Sequence, residues 1–260
     1  MVVLKDVKFE DLDKLKLIEE EPKTIYEIRR VSGDNVTLVL YNSGKLLIQG
    51  KNAEDFAKKL KFGKMVAKTN FREEKGSIIG SDEVLKGDTF GGLVVAGVKA
   101  TDSVRLKLKE LGVADSKKLR DQEILLMAKR IREIATCEVR SLLPEEYNQY
   151  DSVTFLLNKL HEEIGTNLKP GKHIVDKYPG CNVGDIMTEK AEDKYIEVAA
   201  ASILARAEGL KQISYLSKMA GFDIPKGSTH VQSALIKLKE KNLDYEKFVK
   251  LNFRNVKGVL

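Results

Sequence analysis

Along these 260 residues the hydrophobic patterning changes character at positions 61–77, KFGKMVAKTNFREEKGS, a charged run with little periodicity. A stretch without a regular apolar face has nothing to offer a core. The chain is therefore expected to divide there, into a small domain over residues 1–65, a linker over 66–76 and a larger domain over 77–260. A chain of this length can bury a separate core in each part.

The first part reads as α+β. Leu12, Leu15, Leu17 and Ile18 recur at roughly helical spacing and predict a helix over 10–20. Residues 25–30, 36–41 and 45–49 predict three strands, punctuated by the turn formers Ser32-Gly33-Asp34-Asn35 and Asn42-Ser43-Gly44. AEDFAKKL, residues 53–60, predicts a short amphipathic helix that covers one face of the sheet and leaves the other open.

The second part alternates. Ile78–Val84 and Leu93–Ala100 predict an antiparallel hairpin across a glycine-rich turn. A helix over 121–134, a strand over 136–141, a helix over about 152–164, and strands at 173–176 and 184–188 lead into a long helix over 195–219. Small residues recur so closely in that helix (Ala199, Ala201, Ser202, Ala205) that it must pack tightly. A meander followed by strand–helix alternation predicts a mixed α/β sheet flanked by helices.

The longest apolar run, near Leu93–Val98, is too short to cross a bilayer, and the N-terminus lacks the apolar stretch of a signal peptide. The chain is expected in the cytoplasm, with no membrane partner. Cys137 and Cys181 have no metal-ligand spacing and read as buried thiols or, alternatively, as a disulfide. A net charge of +6 and a pI near 9.0 permit a polyanionic partner. From Asn42 to Arg72 eight basic residues face two acids, which suits a nucleic-acid surface or simply a solvated helix face.

The chemistry lies in the acids. In GSDEVLKGDTFGG, residues 80–92, Asp82 and Glu83 stand side by side at the end of an apolar strand. Asp176 likewise ends the strand His173-Ile174-Val175, and Glu192 precedes the long helix. If these strand ends are neighbours, the carboxylates repel one another, and divalent cations relieve the repulsion. An all-carboxylate site suits Mg²⁺ or Mn²⁺ rather than zinc. Successive strand residues point to opposite faces, so Asp82 and Glu83 serve one cluster only if the backbone leaves strand geometry just after Asp82. The competing reading is of separate surface acids paired with the abundant lysines.

Taken together and in order, the motifs resemble those of the type 2 ribonucleases H, and among them ribonuclease HIII. They are Gly80-Ser81-Asp82-Glu83-Val84 with Gly87-Asp88 and Phe90-Gly91, Asp115-Ser116-Lys117-Lys118-Leu119, Ile174-Val175-Asp176, Lys190-Ala191-Glu192 and Val198-Ala199-Ala200-Ala201-Ser202-Ile203-Leu204-Ala205-Arg206. The resemblance implies a ribonuclease H-like α/β domain behind a TATA-binding-protein-like domain that grips substrate, acting as a monomer. It implies endonucleolytic hydrolysis of the RNA strand of an RNA/DNA hybrid by two metal ions, Mg²⁺ or Mn²⁺, leaving 3′-hydroxyl and 5′-phosphate ends. Asp82, Glu83, Asp176 and Glu192 then correspond to the metal ligands, with Glu189 as a substitute for Glu192 one helical turn away. Main-chain groups of Leu85, Lys86 and Gly87 would read the 2′-hydroxyl, and Ser116, Lys117 and Lys118 would hold phosphates. Tyr41, Lys45 and Lys51 would contact the hybrid from the small domain. Ser202 reads as a helix-packing residue, and Arg206 as a partner for the acids or for phosphate.

This chain has leucine at position 85, where the resemblance predicts glycine. Leucine is expected to keep φ negative there, leaving Gly87 as the left-handed residue of the turn. Two other functions compete. A ribonuclease HII-like enzyme would nick at single ribonucleotides in DNA, but the first domain and the lack of a tyrosine after the final helix motif argue against it; Tyr215 lies within that helix. A non-catalytic hybrid-binding protein would tolerate loss of the acids.

Overall fold

The structure, a computed structural model, describes residues 2–65, 71, 72, 74–113 and 119–259. It comprises two compact units, Met1–Thr69 and Asn70–Leu260.

In the first unit the strands are β1 (Val2–Lys5), β2 (Ile18–Glu20), β3 (Glu27–Gly33), β4 (Val36–Tyr41), β5 (Leu46–Gly50) and β6 (Lys64–Met65). They form one antiparallel sheet in the order β2-β3-β4-β5-β1-β6. Asp34 and Asn35, at φ 52° and 62°, make the two-residue loop joining β3 to β4. Short polar side chains tolerate that left-handed pair, which matches the twist of the flanking strands. Leu38, Leu40, Leu46 and Ile48 pack with Leu12 and with Ala53 and Ala57 of helix α1 (Ala53–Lys59).

The helix expected over 10–20 does not form. Phe9–Lys14 is a 3-10 turn and Ile18–Glu20 is strand β2, paired with β3. Only Leu12 of that segment is fully buried, so one apolar anchor suffices and the sheet edge captures the rest. Strand β1 is a further element that the pattern does not predict; its alternating burial spans only four residues.

The second unit has a five-stranded sheet in the order β11-β10-β7-β8-β9, built from β7 (Ile78–Val84), β8 (Leu93–Ala100), β9 (Thr136–Leu142), β10 (Lys172–Asp176) and β11 (Ile186–Thr188). β7, β8 and β9 are antiparallel, whereas β10 runs parallel to both β7 and β11. Alternation along β8 decides what covers each face. Val94, Ala96 and Val98 pack under α6 (Ile196–Ala220) and α3 (Asp121–Ile134), while Leu93 and Val95 pack under α5 (Val153–Asn167). This is the mixed α/β sheet between helices that the pattern predicts. Helix α2 (Asp102–Leu111), α4 (Pro144–Tyr147), α7 (Gln232–Glu240) and α8 (Arg254–Lys257) complete it.

Candidate active site

Gly80 sets the distance between β7 and α6. A Cβ built there would lie 2.3 Å from the Val198 nitrogen, so only glycine lets the helix come this close. Four helical residues advance about 6 Å and two strand residues about 6.6 Å. Contact at Gly80 and Val198 therefore brings Asp82 level with Ser202, whose hydroxyl hydrogen-bonds the Asp82 carboxyl. Ser202, expected to serve only packing, is a partner of the first acid.

Asp176 comes alongside through the parallel pairing of β10 with β7. Val175 pairs with Ser81, which leaves Asp82 and Asp176 at the same end of neighbouring strands. Asp176 also pairs with Thr188, the last residue of β11, and the chain then turns through Lys190, at φ 54°, into the 3-10 turn Ala191–Asp193. Asp176 Oδ1 accepts from the Ala191 amide at 2.8 Å. That contact holds the turn against the strand end and sets the Glu192 carboxyl against that of Asp176.

Glu83 is reached differently from the expectation. The backbone does not leave strand geometry after Asp82; β7 stays in register with β8 through Val84. Asp82 consequently faces α6, and Glu83 faces α5, where His161 Nε2 lies 3.5 Å from its Oε2. Its other oxygen accepts from Lys86 Nζ at 2.6 Å. Both acids stand at the end of β7, one on each face of the sheet.

The electrostatics bear the mark of this crowding. Burial, and then the neighbouring Glu83 charge, push Asp82 up to about 8, with Ser202 opposing and Asp176 adding to the rise. Asp176 is raised to about 6, by burial and by Glu192 and Glu83, against the Ala191 amide. Burial would raise Glu83 as well, but the His161 imidazole and the Lys86 ammonium hold it below the ordinary carboxylate range. Asp82 and Asp176, which resist ionisation through burial and through neighbouring carboxyls and offer oxygen donors, fit a divalent cation of the Mg²⁺ or Mn²⁺ type. Glu83 Oε2, buried and without a hydrogen-bond partner, fits it too. Among the described residues no three His, Cys, Asp or Glu side chains are closed into a ready-made metal cage.

The turn after β7 overturns the expectation for position 85. Leu85 itself has φ 67°, and Gly87 is not left-handed. The leucine tolerates this conformation because its side chain is buried in the core under α6. The turn is tied down from the C-terminal side: Thr89 N–H donates to Gly227 O, Gly91 N–H to Phe248 O, and Lys250 Nζ to the carbonyls of Asp88 and Gly91.

Lys86 is half-buried at Glu83 and Gly87 is exposed. Ser116, Lys117 and Lys118 lie outside the described residues. Arg206 reaches the Leu119 carbonyl at 3.5 Å, and Lys226 pairs with Asp121. In the first unit Tyr41 is half-buried at the end of β4, Lys45 half-buried in the following turn, and Lys51 exposed after β5. Cys137 and Cys181 are both free thiols, so no disulfide joins them. Ser81, His161 and His173 lie in contact behind Glu83, and sequence reasoning assigns them no role of their own. A signal exists nonetheless: two of the chain's three histidines sit in apolar segments, His161 between Leu157 and Ile164 and His173 beside Ile174.

The sequence pattern of ribonuclease HII matches residues 79–256, and one described as a domain of unknown function matches residues 10–73. Ribonuclease HIII of Chlamydia abortus is 36% identical, covering 86% of this chain and 82% of the relative. Ribonuclease HIII of Streptococcus agalactiae is 30% identical over 95% of this chain and 92% of its own. Among solved structures, Bst-RNase HIII in complex with Mn²⁺ superposes with a TM-score of 0.65 at 28% identity, covering 99% of this chain and 97% of that one. The ribonuclease HII of Archaeoglobus fulgidus, solved with PCNA, gives 0.61 at 30% identity and covers 70% of this chain and 96% of its own. The fold is thus that of a type 2 ribonuclease H, a nuclease. Within that class, the chain belongs to the ribonuclease HIII family.

Proposed function

We propose that this nuclease hydrolyses the RNA strand of RNA/DNA hybrids at the joint end of β7 and β10, with Asp82, Glu83, Asp176 and Glu192 as ligands of two Mg²⁺ or Mn²⁺ ions. The observation that carries this reading is the meeting of these carboxyls at one pair of strand ends, where burial first and neighbouring charge second push Asp82 up to about 8 and Asp176 to about 6. Bound divalent ions would supply an activated water and stabilise the leaving oxygen of the phosphodiester. The chain's own part is positional. Ser202 and the Glu83 amide orient Asp82, and the Ala191 amide orients Asp176. Glu192 rather than Glu189 is the fourth ligand, since Glu189 is exposed while Glu192 meets Asp176.

The turn Leu85-Lys86-Gly87 lies next to these acids and is fixed by the C-terminal segment, which suits a main-chain reader of the 2′-hydroxyl. Residues 1–65 serve as the TATA-binding-protein-like, substrate-gripping domain, with Tyr41, Lys45 and Lys51 on the hybrid and residues 66–76 as linker. Lys117 and Lys118, with Ser116, hold backbone phosphates. The protein works as a monomer.

Cleavage of two labelled substrates with Mn²⁺ or Mg²⁺ tests the reading: a long RNA/DNA hybrid, and a DNA duplex with one embedded ribonucleotide. The hybrid is expected to be cut and the second duplex barely touched. Preference for the single ribonucleotide would assign the HII-like activity instead.

A further inference from the structure

Behind Glu83 three polar side chains lie in line. His173 Nε2 is 2.8 Å from Ser81 Oγ, Ser81 Oγ is 2.7 Å from His161 Nδ1, and His161 Nε2 is 3.5 Å from Glu83 Oε2. Ser81 and His161 are fully buried, and His173 is 6% exposed. His161 Nε2 and Glu83 Oε2 are both buried without a hydrogen-bond partner, and at 3.5 Å they face one another.

With one ring proton on each imidazole, proton counting gives this chain a direction. A carboxylate only accepts, so an attractive contact at Glu83 requires the proton of His161 on Nε2. His161 Nδ1 is then a lone pair and must receive the single proton of the Ser81 hydroxyl. The serine oxygen in turn accepts from the Nε2–H of His173. With one ring proton on each imidazole, every donor in the chain then points at an acceptor. The opposite order would set a nitrogen lone pair against the carboxylate. Alternation along β7 is what allows the arrangement, because Ser81 and Glu83 share the face toward α5.

We infer that His161, its tautomer set by Ser81 and His173, is a positioning residue that aims Glu83 Oε2 at the divalent ion. Lys86 holds the other oxygen, so the two sides of the carboxylate are restrained independently. Partners of this kind are worth roughly 10–100-fold in metal affinity. The inference rests on Glu83 being a metal ligand.

The test is Mn²⁺ affinity of the metal-free protein, measured by calorimetry, together with ¹⁵N shifts of the histidine rings. His161→Leu, which keeps bulk but cannot donate, is expected to weaken Mn²⁺ binding at least tenfold. His161→Gln, whose amide can still donate, is expected to stay within a few-fold of wild type. The His161 ring should show a protonated Nε2, and Ser81→Ala should mix its tautomers. Wild-type affinity in His161→Leu while Glu83→Gln binds weakly, or a proton found on His161 Nδ1, would overturn the inference. Unchanged affinity in Glu83→Gln would instead remove the ligand reading beneath it. If His161→Leu does not fold, the ring spectra of the wild type and of Ser81→Ala still decide.

Discussion

The side chain of Leu85 fills the space that a Cβ at Gly91 would need: such an atom would lie 2.9 Å from Leu85 Cδ1. The absent side chain at the far end of the turn thus makes room for the one that anchors it. Left-handed backbone costs a leucine about 1–2 kcal/mol, whereas truncating a buried leucine to alanine costs about 2–5 kcal/mol. Burial outweighs strain, which is why the position is not glycine. Leu85→Ala keeps the strain and loses the anchor, so it is expected to lower stability by at least 2 kcal/mol or so. Leu85→Gly also loses the anchor but relieves the backbone, and should be at least as stable as Leu85→Ala in urea denaturation. An alanine variant clearly more stable than the glycine one would mean that φ is not positive here.

Asp82 makes the metal-free fold sensitive to pH. Its folded-state value of about 8 lies above the ordinary 3.8, so between those limits the folded state holds more protons than the unfolded chain. Stability therefore falls as pH rises through that window, and the penalty is fully present above 8. Each pKa unit corresponds to about 1.4 kcal/mol. Asp82→Asn is expected to abolish cleavage yet raise the melting temperature of the metal-free protein at pH 9, with the gain vanishing toward pH 4. A gain independent of pH would show that Asp82 ionises freely in the fold.

Glu192→Gln is expected to reduce cleavage by two orders of magnitude or more, because it removes a charge that meets Asp176 directly. Glu189→Gln should leave the rate within about threefold of wild type, since Glu189 is exposed and, among the described residues, only its carbonyl is engaged, by Lys194 Nζ at 2.7 Å. Single-turnover rates on one hybrid would compare them, and the reverse ranking would move the fourth ligand to Glu189.

Much of this is readable in the sequence, and the exceptions have physical causes. Strands β7, β8 and β10 and the long helices of the second unit carry apolar residues that are fully buried in its cores, which is why their patterning marks them. The segment 10–20 has too few buried side chains for its spacing to decide, so pairing with β3 overrides it. Asp82 and Asp176 are legible because acids that end apolar strands have few other places to be. The route by which Glu83 joins them is not. It depends on strand register and on where a strand stops, and neither is a local property. The histidines behind Glu83 escape notice for a related reason: His161 and Ser81 are 80 residues apart, and only the packing of α5 on the sheet brings them together.

Removal of residues 1–65 takes away Lys45, Lys51, Lys58, Lys59, Lys61 and Lys64 and leaves the second unit with its own core. Hybrid binding should weaken, and the plot of log affinity against log salt should flatten by about 0.9 for every phosphate that is no longer neutralised. The cleavage step at saturating protein should change far less. Equal affinity with an unchanged slope would assign the small unit another task.

Lys250 is the counterweight to Asp82. It is fully buried, with Nζ 2.6 Å from the Asp88 carbonyl and 2.9 Å from that of Gly91, over the rings of Tyr147 and Phe253. Burial pushes its pKa down to about 7 against the pull of the Asp88 carboxylate. Between about 7 and the ordinary 10.5 the unfolded chain holds more protons, so this residue makes the fold more stable as pH rises through that window. A neutral amine still donates to both carbonyls. Lys250→Met leaves those carbonyls unpaired, at about 1–3 kcal/mol each, but it also removes the buried charge. The variant is therefore expected to be less stable than wild type at pH 10, with the deficit shrinking at pH 6, where the wild type must keep an ammonium out of water. Urea denaturation at the two pH values measures this. A deficit of the same size at both would mean that Lys250 stays protonated throughout and that its surroundings accommodate the charge.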